Sequence, residues 1–282
     1  MGGMQAQPEL VDQYVALALD VIRLCIWLVL LLAFFALIER LWPLHRRKVF
    51  RNAFAIDLVY YFLSGFIPKL LLALPMSLLA AWAHRFAGSG FYAWVAAMPL
   101  GARLAGAMVI SEIGTYWGHR WSHEIPLLWR FHAIHHSPEE IDWLVSTHAH
   151  PVDLAFTRLC GLIPMYLLGF AQPFGNRLDP VPAVVILAGT FWGFFIHANV
   201  TWRFGWLEWL ISSPGFHHWH HTNDGPEYLD KNFAAMLPWV DRIFGTLYLP
   251  RKWPAKYGTD TPIPPDLSSQ LVQPLLPAKQ GA

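Results

Sequence analysis

A continuous apolar run near the amino terminus is the feature that most constrains the fold. Residues 24–38 read LCIWLVLLLAFFALI, and flanking apolar positions from Ala16 onward lengthen the run. With them it exceeds about 20 residues, which at 1.5 Å per residue crosses a hydrocarbon core of about 30 Å. The run lacks the basic leader and the small-residue cleavage site of a secretory signal peptide. It therefore predicts a membrane-spanning helix.

Further apolar stretches follow at residues 57–82, 91–117, 154–170 and 181–196. Pro68, Lys69 and Pro75 interrupt the first of these, so it is predicted as either one kinked span or a helical hairpin. The last two, separated by a loop at 171–180, are predicted to form a hairpin pair. The expected fold is an all-α integral membrane protein of about four to five transmembrane helices with a cytoplasmic, histidine-rich helical cap.

Composition narrows the class of protein. Only 14% of residues are charged, against about 25% in an ordinary soluble domain. The 20 Lys and Arg nearly balance the 19 Asp and Glu, so the net charge gives no reason to expect nucleic acid as a partner. Cys25 and Cys160 lie in separate apolar runs, which favours buried thiols over a disulfide or a thiolate metal site.

A short basic loop indicates the orientation in the membrane. Arg46, Arg47, Lys48 and Arg51 lie between the first two apolar stretches, and such loops stay on the cytoplasmic side. With five crossings, the histidine-rich segments after the third and fifth crossings face the cytoplasm too. A hairpin at 57–82 would change that parity.

Histidines are concentrated in one part of the chain. The sequence has 14, and 12 of them lie between His119 and His221. They form three clusters, HRWSH, HAIHH and HHWHH, and residues at i, i+3 and i+4 share one face of a helix. Buried imidazoles without partners would each cost about 1–3 kcal/mol, so this pattern favours metal ligation. The predicted catalytic ligands are His119, His123, His132, His135, His136, His217, His220 and His221.

Eight ligands exceed what one first-row ion takes, so two ions are predicted. His150 and His197 are further candidate ligands, whereas His148 and His218 are predicted to lie outside the metal shell. Imidazole suits zinc, copper, iron and nickel alike. A paired site beside membrane helices favours redox iron with O2 as co-substrate, and no HExxH zinc-protease motif follows His123.

The histidine clusters belong to five longer segments with a characteristic order. HRWSH, LLWRFHAIHHSPEEIDWL, HAHP, HANVTWRFGWLEWLISSPGFHHWHH and KNFAAMLPWVDRIFGTLY occur in this order. The chain resembles the fatty acid hydroxylase superfamily, and most of all its bacterial sterol desaturase-type members. The resemblance implies a catalytic region at 105–250, after N-terminal transmembrane helices at 1–104 and before a proline-rich, extended tail at 251–282.

The resemblance also implies an activity. It is that of an oxygenase in a bacterial inner membrane, with a non-haem di-iron centre on the cytoplasmic side. The family's ligands map onto the eight histidines above, and His150 and His197 occupy similar positions. Two residues before the His-Pro pair at 150–151, related sequences often carry arginine, whereas this one has His148. The implied reaction is hydroxylation or desaturation of a lipid, with electrons from a separate ferredoxin, cytochrome or reductase. The alternative is a membrane metal-handling protein, for transport or storage, without redox catalysis.

Overall fold

The computed structural model describes residues 6–48, 50–51, 53–85, 90–171 and 179–276. Within these ranges the chain is helical and has no β-strand beyond two isolated bridges, Pro43 with Val200 and Thr222 with Tyr257. The helices are α1 (Ala6–Leu41), α2 (Phe54–His84), α3 (Gly90–Ala96), α4 (Leu100–Glu124), α5 (Pro126–His136), α6 (Pro151–Leu167), α7 (Pro180–His197), α8 (Pro214–His220), α9 (Trp239–Phe244) and α10 (Leu267–Val272). The predicted all-α fold is confirmed.

Three of the helices, α1, α2 and α7, are long and apolar enough to cross a membrane. Together, α3 and α4 make a fourth candidate span, bent by 116°. Although it is apolar, α6 has only 17 residues. A helix that crosses a membrane needs about 20 residues. The chain is thus an integral membrane protein with three candidate spans, or four when the bent pair counts as one.

The stretch at 57–82 forms one continuous helix, α2, rather than a hairpin. Pro68 and Pro75 both lie inside it. A proline removes one backbone hydrogen bond, but in lipid no water is present to satisfy the others, so the helix persists on both sides. Leu70 and Leu74 are 75% and 67% exposed, as expected for side chains that face acyl chains.

The stretch at 91–117 is not one straight helix as predicted. It breaks after α3, and Pro99 precedes α4 in an extended conformation with ψ of 141°. Proline lacks the N–H needed to continue a helix and suits the first position of a new one. The bend directs α4 toward the histidine-rich end of the bundle.

Close packing of α4 against α6 positions the site. A methyl group on Gly114 would lie 2.2 Å from the carbonyl oxygen of Cys160, so only glycine allows the two backbones to approach this closely. The approach brings the C-terminal end of α4, with His119 and His123, beside Asp153 in the first turn of α6.

The C-terminal segment differs from the extended tail that its prolines predict. Residues 251–276 fold back over the helices, where Tyr60 donates a hydrogen bond to Gln270 (2.9 Å) and Trp129 donates to Thr261 (3.0 Å). Proline has no backbone N–H that would need an acceptor when buried. Pro254 and Pro274 are buried in this layer. Residues 172–178 of the predicted loop and 277–282 of the predicted tail lie outside the described residues.

Candidate metal centre

The histidines come from the ends of four helices that meet at one end of the bundle. His119 and His123 lie in the last turns of α4, and His197 is the last residue of α7. The short helix α8, which carries the third cluster, begins after Ser213, whose hydroxyl accepts a hydrogen bond from the Phe216 N–H (3.3 Å). That N-cap fixes the start of the helix and so the directions of its histidines.

Nine imidazoles gather into two groups, and within each group the ligand nitrogens all lie within 4.8 Å of one another. The first group, here the five-histidine cluster, contains His119, His123, His132, His136 and His220. The second, here the four-histidine cluster, contains His135, His197, His217 and His221.

The first histidine motif lies wholly in the five-histidine cluster, whereas the second and third motifs are each divided between the two clusters. In α5, His132 and His136 belong to the five-histidine cluster, whereas His135 belongs to the other. In the third motif, His217 and His221 share one cluster while His220 joins the opposite one. Residues at i and i+4 therefore lie in the same cluster, and the residue at i+3 points to the neighbouring cluster.

The two clusters are in direct contact. The His136 ring of one stacks on the His221 ring of the other, with centroids 4.4 Å apart. His217 and His220 also stack across the boundary at 5.1 Å. Two ions held by these clusters would therefore be close neighbours.

Outer hydrogen bonds fix the tautomer of several rings. In the five-histidine cluster, His119 Nδ1 donates to the Phe233 carbonyl (2.7 Å) and His132 Nδ1 donates to Asp153 (3.0 Å). In the four-histidine cluster, His135 Nδ1 donates to the His148 carbonyl (3.2 Å) and His197 Nδ1 donates to the Gly193 carbonyl (2.7 Å). Since these oxygens only accept, each Nδ1 carries the hydrogen and each Nε2 presents a bare lone pair.

These lone pairs face one another, as expected for ligands of a shared metal ion. His119 Nε2 lies 3.1 Å from His132 Nε2, and His135 Nε2 lies 3.3 Å from His197 Nε2. Neither nitrogen of either pair has a hydrogen to donate, so the contacts are repulsive without a cation between them. Ligands about 2.1 Å from one ion lie about 3.0–3.4 Å apart. Within the described part of the chain, the buried Nε2 of His123 also has no hydrogen-bond partner. The donor set fits two metal ions.

Some cluster histidines lie outside the membrane-spanning helices, and burial keeps these side chains neutral. It lowers the pKa of His135, His136, His217, His220 and His221 well below the ordinary value, and neighbouring imidazoles lower each pKa further. A metal ion needs neutral imidazole as a ligand, so the environment prepares these side chains for binding.

Of the two additional candidate ligands, the structure brings only His197 into a cluster. His150 instead caps α6: its Nδ1 accepts from the Val152 N–H (3.1 Å) and its Nε2 donates to the Leu271 carbonyl (3.1 Å). Both of its nitrogens are therefore occupied away from the two clusters.

The two histidines predicted to lie outside the metal shell are buried beside it. His148 Nδ1 bonds Asp57, and its carbonyl orients His135. Tyr257 OH donates to His218 Nδ1 (2.8 Å), whose Nε2 donates to the Ala198 carbonyl (3.2 Å). Burial lowers the pKa of His218 to about 3.

Carboxylates and backbone carbonyls support the cluster histidines. Asp153 accepts directly from His132. Asp241 acts one step further out, since it accepts from the Phe233 and Ala234 N–H groups and so holds the carbonyl that orients His119. Asp230, which accepts from His123 (3.0 Å), and the backbone carbonyls carried no signal in the sequence.

The family model "Fatty acid hydroxylase" matches residues 104–246, about half of the chain. This region contains every histidine of both clusters. The chain belongs to the fatty acid hydroxylase family. This confirms the resemblance inferred from the histidine motifs.

Relatives in the family are lipid oxidoreductases by name. Ornithine lipid hydroxylase OlsE of Rhizobium tropici is 33% identical over 183 residues, 64% of this chain and 53% of the relative. Alkylglycerol monooxygenase of Xenopus tropicalis is 31% identical over 153 residues, 54% of this chain and 32% of the relative. Delta(7)-sterol 5(6)-desaturase ERG3B of Gibberella zeae is 27% identical over 144 residues, 49% of this chain and 39% of the relative. The chain thus spans about half or less of these relatives, and no solved structure matches it.

The Asp153 carboxylate gives a test of the outer hydrogen bonds. Burial alone would raise its pKa, but His132, His119 and the Ser122 hydroxyl together outweigh burial and hold the pKa below the ordinary value. We expect Asp153→Asn to weaken metal binding about 10–100-fold, because His132 loses its charged acceptor. Chelator competition on the purified protein measures this. Asp224→Asn is the matched control, since Asp224 holds only the Ala255 and Lys256 N–H groups; equal metal loss in both variants would contradict the assignment.

Proposed function

We propose that this chain is a membrane-bound, non-haem di-iron oxygenase that hydroxylates or desaturates a lipid. The observation that carries the proposal is the pair of adjoining histidine clusters, in which bare Nε2 lone pairs face one another at 3.1–3.3 Å. Membership in the fatty acid hydroxylase family and the lipid substrates in the relatives' names support the reaction class.

Iron is the metal that suits this proposal. Zinc has no redox chemistry and therefore cannot supply an oxidation, whereas imidazole is a good ligand for iron. His119, His123, His132, His136 and His220 would hold one ion, and His135, His197, His217 and His221 the other. When bound, a pair of iron ions supplies the oxidising power to activate O2 and remove hydrogen from an unactivated carbon.

The chain's own residues position and isolate that chemistry. Asp153 and the carbonyls of Phe233, His148 and Gly193 hold ligand rings in one tautomer and one orientation. Phe216 and Phe233 are almost fully buried beside the clusters and exclude water from them. The histidines at the ends of α4 and α7 lie at the boundary of the candidate spans, where a lipid chain can reach them.

The electron donor is inferred from the sequence motifs and the orientation in the membrane from the basic loop. We propose a separate electron donor, a ferredoxin, cytochrome or reductase, because the sequence has no Rossmann, flavin or haem-attachment motif. The basic loop at 45–51 adjoins the end of α7, since the Leu44 N–H donates to the Asn199 carbonyl (3.1 Å). By the positive-inside rule this end of the bundle faces the cytoplasm, in a bacterial inner membrane.

Metal analysis combined with lipid profiling tests the function. Purified protein is expected to contain two irons per chain. Membranes of cells that express it are expected to gain a lipid species heavier by one oxygen or lighter by two hydrogens, relative to cells that express His220→Ala. Bound iron with an unchanged lipid profile would instead support the metal-handling alternative. Turnover with NAD(P)H alone would contradict the separate electron donor.

A further inference from the structure

A basic cavity lies where α1 leaves the membrane, apart from the two histidine clusters. It has a volume of about 380 Å³ and is bounded by the last turns of α1, the loop that follows, and the start of the 3₁₀ turn Trp143–Thr147. We call it the basic pocket, and its charged lining consists of Arg40, Arg46, Arg47, Lys48, Arg51, Glu39 and Asp142. Positive side chains therefore outnumber negative ones.

Both carboxylates of the basic pocket already accept hydrogen bonds from the protein. Glu39 accepts hydrogen bonds from the Trp143 N–H (3.0 Å) and the Asn199 N–H (2.9 Å). Asp142 accepts from Arg51 Nε (2.6 Å). Asp142 thus pairs with Arg51, and among the described residues Glu39 forms no ion pair with any of the other lining cations.

Four cations remain for a ligand. In the described part of the chain, Arg40, Arg46 and Lys48 form no ion pair, and Arg47 approaches only Glu140, at 3.9 Å. The Nη1 of Arg47 is buried and has no hydrogen-bond acceptor among the described residues. A buried donor without an acceptor is costly, so the geometry favours an anion in the basic pocket.

An apolar groove continues from the basic pocket along α1. It has a volume of about 660 Å³, and Leu32, Ala33, Ala36 and Phe50 form its apolar lining. Ala36, Arg40 and Lys48 border both spaces, so the groove and the basic pocket are continuous. From residue 32 to residue 40 the helix rises about 12 Å, from the depth of acyl chains toward the level of headgroups.

We propose that the basic pocket and the apolar groove bind one anionic glycerophospholipid of the membrane. Its phosphate contacts the free cations and one acyl chain lies along α1. A free phosphate ion would satisfy the cations but leave the groove unused, whereas a lipid matches both. Basic pockets beside membrane helices on the cytoplasmic side are typical sites for such headgroups.

The bound lipid also stabilises the region next to the four-histidine cluster. Asn199, two residues after His197, lines the basic pocket. Its side chain accepts from the His45 N–H (3.0 Å) and donates to the His45 carbonyl (2.7 Å). A headgroup that holds Arg46 and Lys48 thus secures the basic loop against the end of α7.

Native mass spectrometry of the detergent-solubilised full chain tests the proposal. Phosphatidylglycerol, phosphatidylcholine and glycerol 3-phosphate are titrated separately. The wild type is expected to bind one phosphatidylglycerol in preference to phosphatidylcholine, and glycerol 3-phosphate should not displace it. Arg46→Gln/Lys48→Gln is expected to bind phosphatidylglycerol about 30-fold more weakly. Arg251→Gln/Lys256→Gln makes the same charge change at exposed sites elsewhere and should bind like the wild type.

A second variant tests the groove without a change of charge, in case the double variant fails to insert. Ala36→Phe fills the junction of the groove and the basic pocket, and should weaken phosphatidylglycerol binding at least about 10-fold. Equal binding of the two phospholipids by the wild type, equal loss in the Arg251→Gln/Lys256→Gln control, or unchanged binding by Ala36→Phe would each overturn the proposal. None of these outcomes depends on oxygenase activity.

Discussion

The His135→Ala variant is expected to lose metal from the four-histidine cluster and to have no measurable oxidation of lipid. His135 Nε2 lies 3.3 Å from His197 Nε2 in that cluster, and a four-ligand site that loses one imidazole leaves an open position. The fall in activity should exceed the roughly 10–100-fold that loss of an outer hydrogen-bond partner causes. Iron per chain and product formation are measured on the same preparation. His220→Ala makes the equivalent change in the five-histidine cluster.

Two histidine controls separate ligand loss from a general effect of substitution. His84 is exposed at the C-terminal end of α2, so His84→Ala should keep both irons and full activity. His218 shares α8 with two ligands but bonds Tyr257 and Ala198, so His218→Ala should have a milder effect. Full activity with two irons in His135→Ala, or a loss in His218→Ala as complete as in His135→Ala, would show that the ligand set is misassigned.

The second large effect is expected for Asp57→Ala, which should destabilise the fold by about 3–5 kcal/mol. Asp57 is fully buried. It pairs with Arg51 and bonds His148 Nδ1 at 2.5 Å, so it joins α2 both to the basic loop and to the segment that orients His135. Its removal leaves the buried His148 ring without a partner on either nitrogen, because His148 Nε2 has none among the described residues.

Thermal unfolding in detergent, followed by the fluorescence of the 15 tryptophans, measures this loss. Asp20→Ala is the matched control, because Asp20 forms partly exposed ion pairs with Arg23 and Lys69. Such pairs contribute only about 0–1 kcal/mol. We expect a large fall of the midpoint for Asp57→Ala and almost none for Asp20→Ala. Equal midpoints for the two variants would contradict the role assigned to Asp57.

Much of the fold and the site was predictable because the signals are local. The run at 24–38 needs only its length and hydrophobicity to predict α1. The i, i+4 spacing of His119 and His123, or of His217 and His221, places each pair on one helical face wherever that helix lies. Both pairs enter single clusters, as a local rule requires.

Contacts between distant parts of the chain could not be predicted from the motifs. His150 resembles a ligand in sequence, but its nitrogens are taken by Val152 and by Leu271, 121 residues away. The prolines after residue 250 suggest an extended tail, yet Gln270 packs against Tyr60 of α2. Neither partner can be identified from the residues around the motif.

By itself, the sequence determined the helical membrane fold, the histidine pairs and the family, since all three depend on residue type and short spacing along one chain. Only the tertiary structure decided that the second and third motifs divide between two clusters, that His197 joins one of them, and that Asp230 and several carbonyls orient the rings. The physical reason is that a ligand shell is a set of directions in space. Those directions are fixed by how α4, α5, α7 and α8 pack, and contacts between distant segments decide that packing.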